Sequence, residues 1–507
     1  MQMIFYHNSK SITSLESGVN DYNGMHLMDG FLKLAQDFPD HTLVWCHESV
    51  KEELNQTELN AVFYHDKLLV SYSPNFEYHI KKSIGYVELT PFVKINKEVT
   101  FPTWFMSSLV GGVHATVIQY LKKDITKTLG FDYFINSLAY FGMLDGLLCY
   151  SNPTLLKNKN ITGLFSGSNK ATYQFTKEHL GQKKVFLLFW NRIIHDKSID
   201  ILSLLSSFSI KRKPWLDGQL EGIEVSSKKK VVEKRELDVI IPTIGRREYL
   251  YDVLVDFKNQ PCLPKRVNIV EQNPDPKGTS DLDYIENEAW PFEIEHIFIH
   301  KTGVCNARNL ALSKTNSEWV FLSDDDGRFE PNLIADVFDK LNEYGAQAAT
   351  TSYLQSGEIP FFKRIVQWPT FGAGNSFVRR DKLENLAFSN VLEFGYGEDK
   401  DFGMQLRNEG VDIIYLPQPE ILHLKAPIGG FRFNHVKPWD KEEIEPKPTP
   451  TMLLYYKLHY TEEQIRGNKT LYLSKRIAKS PASLLKIIKQ WKLSDYWATK
   501  LLEENEV

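Results

Sequence analysis

Three short apolar runs, LDVIIPT (237–243), RVNIVEQN (266–273) and EWVFLS (318–323), are separated by segments with helical spacing, among them REYLYDVLVDFKNQ and NARNLALSKT. Continuous β-branched runs belong inside a sheet covered on both faces, and helices alternating with them supply the cover. No other feature constrains the fold as strongly: the alternation predicts a mostly parallel sheet flanked by helices. Such sheets bind ligands at the C-terminal ends of their strands. The polar clusters fall there, with PTIGRR after the first run, EQNPDP after the second and DDD after the third.

A chain of 507 residues exceeds one ordinary core, so two or three domains are expected. The charged, Ser/Lys-rich run from Glu224 to Glu236 lacks apolar periodicity and reads as a linker. The layout that follows is an N-terminal domain over 1–225, a linker over 226–236, a catalytic domain over 237–430, and a loop with a helical tail over 431–507. In the first domain MIFYHN and TLVWCH read as strands around the amphipathic helix HLMDGFLKLAQDF, a second α/β unit. The stretch WFMSSLVGGVHATVI suggests a degenerate copy of the same architecture. His7, Asn8, His47 and Glu48 follow candidate strands, so a pocket is one reading, and ordinary strand-end polarity is the other and the plainer.

Composition excludes little but directs the reading. A net charge of −4 gives no argument for a nucleic-acid partner. Cys46, Cys149, Cys262 and Cys305 are far apart, without metal spacing, and read as reduced thiols of a cytosolic chain. No secretory signal is read at MQMIFYHNSKSITS, and runs such as KVFLLFW are too short to span a bilayer. A soluble or peripheral protein is expected, cytoplasmic or at the inner face of the cell membrane. Arg466 to Lys492 contains eight basic and no acidic residues. Within it SPASLLKIIKQW starts with a candidate N-cap, Ser480, and with Pro481, and sets Leu484, Ile487, Ile488 and Trp491 on one face. Two readings stand: a peripheral helix on anionic lipid, or a helix packed on its own domain with solvated lysines.

Alone, Asp324, Asp325 and Asp326 read as a solvated acidic turn. Three carboxylates after a buried strand are also what a divalent cation beside a phosphate calls for, because Mg²⁺ and Mn²⁺ take oxygen ligands. A second cluster, GEDKDF, places Glu398, Asp399 and Asp401 at a helix start, where acids suit the macrodipole. A carboxylate at a pocket mouth can act as general base. His423, after the strand DIIYLP, is a possible metal ligand only in this company.

The ordered set DVIIPTIGR, IVEQNPDP, TGVCNARNLAL, WVFLSDDDGRFEPN, FGAGNSFVRRD, GEDKDFGMQLRNEG and HL resembles the family 2 inverting glycosyltransferases of the GT-A fold over about residues 237–425. The resemblance implies a GT-A-like sheet in this half and a nucleotide-sugar donor, with a UDP-sugar first among the choices. Pro242, Thr243 and Arg246 would lie along the nucleotide. Glu271 stands where the family commonly has an aspartate touching base or ribose. Arg308 and Asn309 would approach the uridine diphosphate, and Asp325 would also lie in the donor site. Asp324 and Asp326 would form the D-x-D pair, with His423 completing a metal site for Mn²⁺ or Mg²⁺. Gly374 and Asn375 would border the acceptor, a glycan or lipid-linked glycan of bacterial surface polysaccharide synthesis. Asp399 would be the catalytic base and Glu398 its neighbour or substitute. Two rivals are a glycan-binding or scaffolding pseudoenzyme and a sugar-1-phosphate nucleotidyltransferase. The latter needs a Gly-rich basic loop after the first strand, where PTIGRREY has one glycine.

Overall fold

The computed structural model describes residues 1–505 other than 19, 91–92, 124, 126, 128, 160–166, 215–216, 394 and 428–435. Phe394, next to the acidic helix, and the expected boundary at 430/431 therefore lie outside the described residues. Two compact units divide the chain: Met1–Lys229 with Tyr460–Lys475, and Lys230–His459 with Arg476–Val507.

Among the described residues the first unit has seven strands: β1 (Gln2–His7), β2 (Ile12–Leu15), β3 (Thr42–His47), β4 (Leu68–Tyr72), β5 (Phe101–Pro102), β6 (Val110–His114) and β7 (Leu148–Ser151). Their order is β2-β1-β3-β6-β4-β7-β5. β1 runs parallel to β3 and β4 to β7, while β6 lies antiparallel between β3 and β4. Phe5, Phe31, Trp45 and Phe134 are fully buried in the core between the sheet and its helices.

The second unit carries β8 (Leu237–Thr243), β9 (Arg266–Gln272), β10 (Glu293–Ile299), β11 (Trp319–Ser323), β12 (Gly327–Phe329), β13 (Ala348–Leu354), β14 (Val366–Gln367), β15 (Asn375–Arg379) and β16 (Ile414–His423). The order is β10-β9-β8-β11-β15-β13-β16-β12, with β14 on β16. β10, β9, β8 and β11 are parallel, as the uninterrupted apolar runs require. β15 enters antiparallel between β11 and β13, and β13 then pairs parallel with β16. This is the GT-A-like α/β sheet that the motifs imply. All seven residues of β8 and all five of β11 are buried, so these strands sit at the centre.

One relation joins the two sheets in kind. β1, β3, β6, β4 and β7 repeat the order and the directions of β8, β11, β15, β13 and β16, and the strands occur in the same chain sequence. Where the second unit follows β11 with three aspartates, the first follows β3 with Glu48, Ser49 and Val50. The N-terminal unit therefore has the topology of the other without its acidic turn.

In the tail, helices span Glu462–Lys479 and Leu484–Asn505. Pro481–Ser483 forms a short 3-10 turn, and Ser480 makes no capping bond to the backbone, contrary to the expected cap; its hydroxyl meets Ser483 at 2.8 Å. Ile487 and Trp491 are each 3% exposed, whereas Leu485 is 82% exposed. The expected apolar face thus packs inward at its centre. No helix among the described residues is long and apolar enough to cross a membrane.

Candidate functional site

The register aligns the strand ends. Thr243 at the end of β8 pairs with Glu271 near the end of β9, and Leu322 on β11 pairs with Ile240. Pro242 is buried within β8, opposite Val270. The three aspartates occupy the short connection from β11 to β12, so their backbone is fixed by two strands. The Asp324 N–H donates to the Gly374 carbonyl at 3.2 Å, and the Leu424 N–H donates to the Asp326 carbonyl at 3.0 Å.

Two arginines divide the carboxylates between them. Arg246 donates to Asp325 at 2.6 Å and stands 3.1 Å from Asp326. Arg308, from the helix Val304–Leu312, donates to Asp324 at 3.1 Å and to Asp399 at 3.2 Å. Arg308 is 5% exposed, lies over the Phe388 ring, and its Nε is buried without a hydrogen-bond partner. Burial opposes its charge, but Asp399 and Asp324 outweigh that and hold its pKa above the usual arginine range. Burial pushes Asp325 up to about 6, while Arg246 and the Thr243 hydroxyl at 2.7 Å pull it back.

Gly374 explains how Asp324 reaches this position. A Cβ there would lie 2.1 Å from an Asp324 carboxylate oxygen, so only glycine lets the carboxylate rest against the backbone. Asn375 turns inward: its amide donates to the Thr351 carbonyl, and its own carbonyl accepts the Thr351 hydroxyl at 3.2 Å.

The helix Glu398–Asn408 begins after Gly397, whose φ of 115° suits glycine. Asp399 is half-buried, with 37% of its side chain open to solvent. Desolvation raises its pKa, Arg308 lowers it, Asp324 raises it, and a hydrogen bond from the Ala373 N–H lowers it; the net direction is up. Glu398 is 7% exposed, and burial followed by the Asp399 charge pushes it up to about 7 against the pull of Arg308. Asp401 is held from the helix Pro450–His459 by His459 Nε2 at 2.7 Å, and by Gln405 at 2.8 Å.

The structure brings Asp326 and His423 together, 3.8 Å apart, whereas Asp324 turns away to Arg308. Tyr353 stacks on His423 with ring centroids 4.3 Å apart and donates its hydroxyl to Asp326 at 3.2 Å. The Ala426 N–H adds a bond to Asp326 at 2.9 Å. Among the described residues no group of three or more His, Cys, Asp or Glu side chains gathers as a metal site. A carboxylate and an imidazole still fit a divalent cation whose other ligands are phosphate oxygens and water.

Other expected residues have protein partners. Glu271 accepts from Ser280 at 2.5 Å, His296 at 2.9 Å and the Asp281 N–H at 3.1 Å. Burial alone would raise its pKa, but these bonds together lower it. Asn309 is bonded twice to the Phe388 backbone, at 2.8 and 2.7 Å, and pins that segment. Sequence reasoning missed Tyr353, His296, Glu393 and His459. Glu393 accepts the Cys305 and Asn306 N–H groups at 3.0 and 2.9 Å, filling the N-terminus of the helix that carries Arg308. Tyr353 had a usable signal, because it lies next to the end of the β-rich run AATTSYL; the others had none nearby.

Residues 238–394 match the profile of Glycosyl transferase family 2. The resemblance of the second half to that family therefore holds over the span that contains the strand ends and the three aspartates. No curated protein matches the chain. Similar solved structures include three of S. aureus TarS. TarS 1-349 is 19% identical, with a TM-score of 0.32, over 37% of this chain and 60% of that one. TarS itself is 19% identical, with a TM-score of 0.32, over 38% and 37%. TarS 1-349 in complex with UDP-GlcNAc is 16% identical, with a TM-score of 0.39, over 52% and 81%. In the first two comparisons the chain spans 60% and 37% of its neighbour's length. The fold described above rests on strand order, not on these values.

Proposed function

We propose that the second unit is an inverting glycosyltransferase that moves a sugar from a UDP-sugar to a hydroxyl of a glycan or glycolipid acceptor. The observation that carries this is the pairing of two acidic clusters through one buried arginine: Arg308 joins Asp324, at the strand end, to Asp399, at the helix start. A general base beside a leaving-group site needs that proximity.

In the reaction, Asp399 Oδ takes the proton of the acceptor hydroxyl as its oxygen bonds the anomeric carbon. The bond from that carbon to the diphosphate oxygen breaks on the opposite face, and the electron pair leaves with the nucleoside diphosphate. Arg308 orients Asp399 and opposes the rise in its pKa that burial causes. Glu398 is pushed up to about 7 by burial and by the charge of Asp399, and Asp399, the more open of the two to solvent, is the one assigned as base. General base catalysis of this kind contributes about 10²–10⁴-fold. Arg246 and Thr243 hold Asp325 and with it the turn that ends in Asp326.

Four carboxylates (Asp324, Asp325, Asp326 and Asp399) face two guanidiniums, an excess of two negative charges where an anionic diphosphate must bind. Mn²⁺ or Mg²⁺ held by Asp326 and His423 would supply the compensating charge and stabilise the leaving group. The rest of the proposal concerns setting. A cytoplasmic location suits the reduced cysteines, and a peripheral contact of residues 466–492 with anionic lipid would use the exposed Leu484, Leu485, Lys486 and Lys489. A lipid-linked acceptor for surface polysaccharide synthesis fits that setting.

The test is calorimetric titration of the full chain with UDP, with and without Mn²⁺. Metal-dependent binding that is lost in Asp326→Ala and retained in Asp399→Asn supports the assignment. Absence of UDP binding to the unaltered protein under both conditions overturns the donor site.

A further inference from the structure

In the first unit, two consecutive helical stretches carry apolar side chains on the face that meets solvent. The helix Gln182–Asn191 runs on as a π-helical turn over Arg192–Asp196 and buries Val185, Leu188 and Arg192. Its outward face holds Lys183, Phe186, Trp190 and Ile194, at helical spacing and exposed. The helix Ile201–Ser207 goes further: it buries Ser203 and Ser207 and exposes Ile201, Leu202 and Leu205. Trp190 is 58% exposed and Leu202 82%. Phe186 and Phe208, the latter just past the second helix, approach to 6.3 Å between ring centroids, so the two outward faces adjoin.

A surface helix ordinarily turns such residues toward the core. A contiguous exposed apolar patch with a polar rim marks a contact with a protein or a membrane, and the charge around this one decides between them. Residues 182–213 hold seven Lys and Arg against two aspartates. Both aspartates face the buried Arg192, Asp196 at 3.5 Å and Asp200 at 3.7 Å. Lys183, Lys197, Lys211 and Arg212 flank the apolar stretches in the chain and are exposed.

The helix Glu462–Lys479 brings further positive charge alongside. Its Thr470 hydroxyl donates to the Asn191 side chain at 2.8 Å. Burial and then Lys475 lower the pKa of Lys184 against the pull of Glu88. Burial and then Arg466, with Lys197 and Lys469, lower that of His195 against Asp196. Lysine is depleted in protein–protein contacts, and two copies of this face would set like charges against each other. An anionic bilayer uses both parts: aromatic and aliphatic side chains enter the headgroup region, and the cations around them meet the phosphates.

We propose that the outward face of residues 182–208 seats the first unit on an anionic lipid surface, with Phe186, Trp190, Leu202 and Leu205 inserted and the flanking lysines on the headgroups. This surface is separate from the exposed Leu484 and Leu485 of the tail. The proposal does not rest on the transferase reading of the second unit, so UDP binding and lipid binding fail independently.

The experiment is cosedimentation of the full chain with vesicles of phosphatidylglycerol and phosphatidylcholine in equal parts, and with vesicles of phosphatidylcholine alone. The expected result is binding to the mixed vesicles that is weaker by about tenfold or more on phosphatidylcholine alone. In Trp190→Glu/Leu202→Glu, binding to the mixed vesicles should fall by about tenfold or more at an unchanged thermal midpoint, because two apolar anchors become charges that anionic headgroups repel. Should that variant melt earlier, Trp190→Ser/Leu202→Ser takes its place with the same expectation. No binding to the mixed vesicles, or equal binding to both lipids, overturns the proposal. So does unchanged binding by the folded variant, which would assign the lipid contact to another surface. Sedimentation velocity without lipid covers the remaining occupant: a dimer that the variant dissociates would show a second copy on this face and overturn the lipid assignment.

Discussion

Glu398 offers a prediction that turns on sign as well as size. Burial, and next the charge of Asp399, raise it from 4.5 to about 7, although Arg308 opposes them. The unfolded chain therefore loses this proton at lower pH than the folded one. The associated stability is fully present below pH 4.5 and is lost as pH rises through about 7. At about 1.4 kcal/mol per pH unit between those two values, the loss at pH 8 is about 3 kcal/mol. Glu398→Gln keeps the shape of the protonated acid and removes the ionisation. Its stability relative to the unaltered protein should rise by about 2–3 kcal/mol between pH 5 and pH 8. Urea unfolding of both proteins at pH 5, 6, 7 and 8, followed by tryptophan fluorescence, measures the gap between their transitions at each pH. In an Asp399→Asn background the second cause is gone, and the pH-dependent part of the gap should shrink. A gap that stays constant across this range would mean that Glu398 ionises normally and that burial beside Asp399 does not govern it.

Two further substitutions probe how the site is held. Gly374→Ala puts a Cβ 2.1 Å from an Asp324 oxygen and must drive that carboxylate off Arg308. Breaking a buried pair costs about 3–5 kcal/mol, and because Asp324 is 30% exposed the expected loss is about 2 kcal/mol; a loss under about 0.5 kcal/mol in urea unfolding would contradict the close approach. His459→Phe removes the 2.7 Å bond to Asp401 and leaves that 4% exposed carboxylate, among the described residues, with Gln405 as its side-chain partner, costing about 1–3 kcal/mol. An unchanged thermal midpoint would show that the helix Pro450–His459 does not anchor the acidic helix.

The strands that carry the site were readable almost to the residue. LDVIIPT is β8, RVNIVEQN overlaps β9 and EWVFLS contains β11. Burial on both faces leaves no room for polar alternation, so such strands announce themselves as uninterrupted apolar runs. β10, with the sequence EIEHIFI, was not readable this way. It is the edge strand, six of its seven residues are half-buried, and charged side chains interrupt the run. The same reasoning applies to the tail: helical spacing showed that Leu484, Ile487 and Trp491 share a face, but spacing does not say what covers it. The structure buries Ile487 and Trp491 and extends the packed face to Trp497, Ala498 and Leu501.

The site divides along a similar line. Its acids were legible because they are contiguous: three aspartates in one turn, and Glu398 with Asp399 in another. Their partners are single residues distant in the chain. Arg308 was expected near the donor, yet its bridging of two carboxylates, one of them 91 residues away, leaves no trace in local pattern. Glu393 closes the N-terminus of the Arg308 helix from 88 residues downstream, and His459 reaches Asp401 across 58. A carboxylate cluster in a core tolerates its own repulsion only through such partners, because buried charge is costly unless paired and hydrogen-bonded. The motif thus marks where the charge lies, and the fold decides how it is divided. Asp325 and Asp326 share Arg246, and Asp324 and Asp399 share Arg308, so the two outer aspartates of the D-x-D pair face different cations. A shared ligand set for Asp324 and Asp326 would require Asp324 to leave Arg308, which would then be held through its bond to Asp399. Under the proposed metal-dependent reading, the division favours Asp326 with His423 as ligands of a cation and leaves Asp324 to orient Arg308 against Asp399.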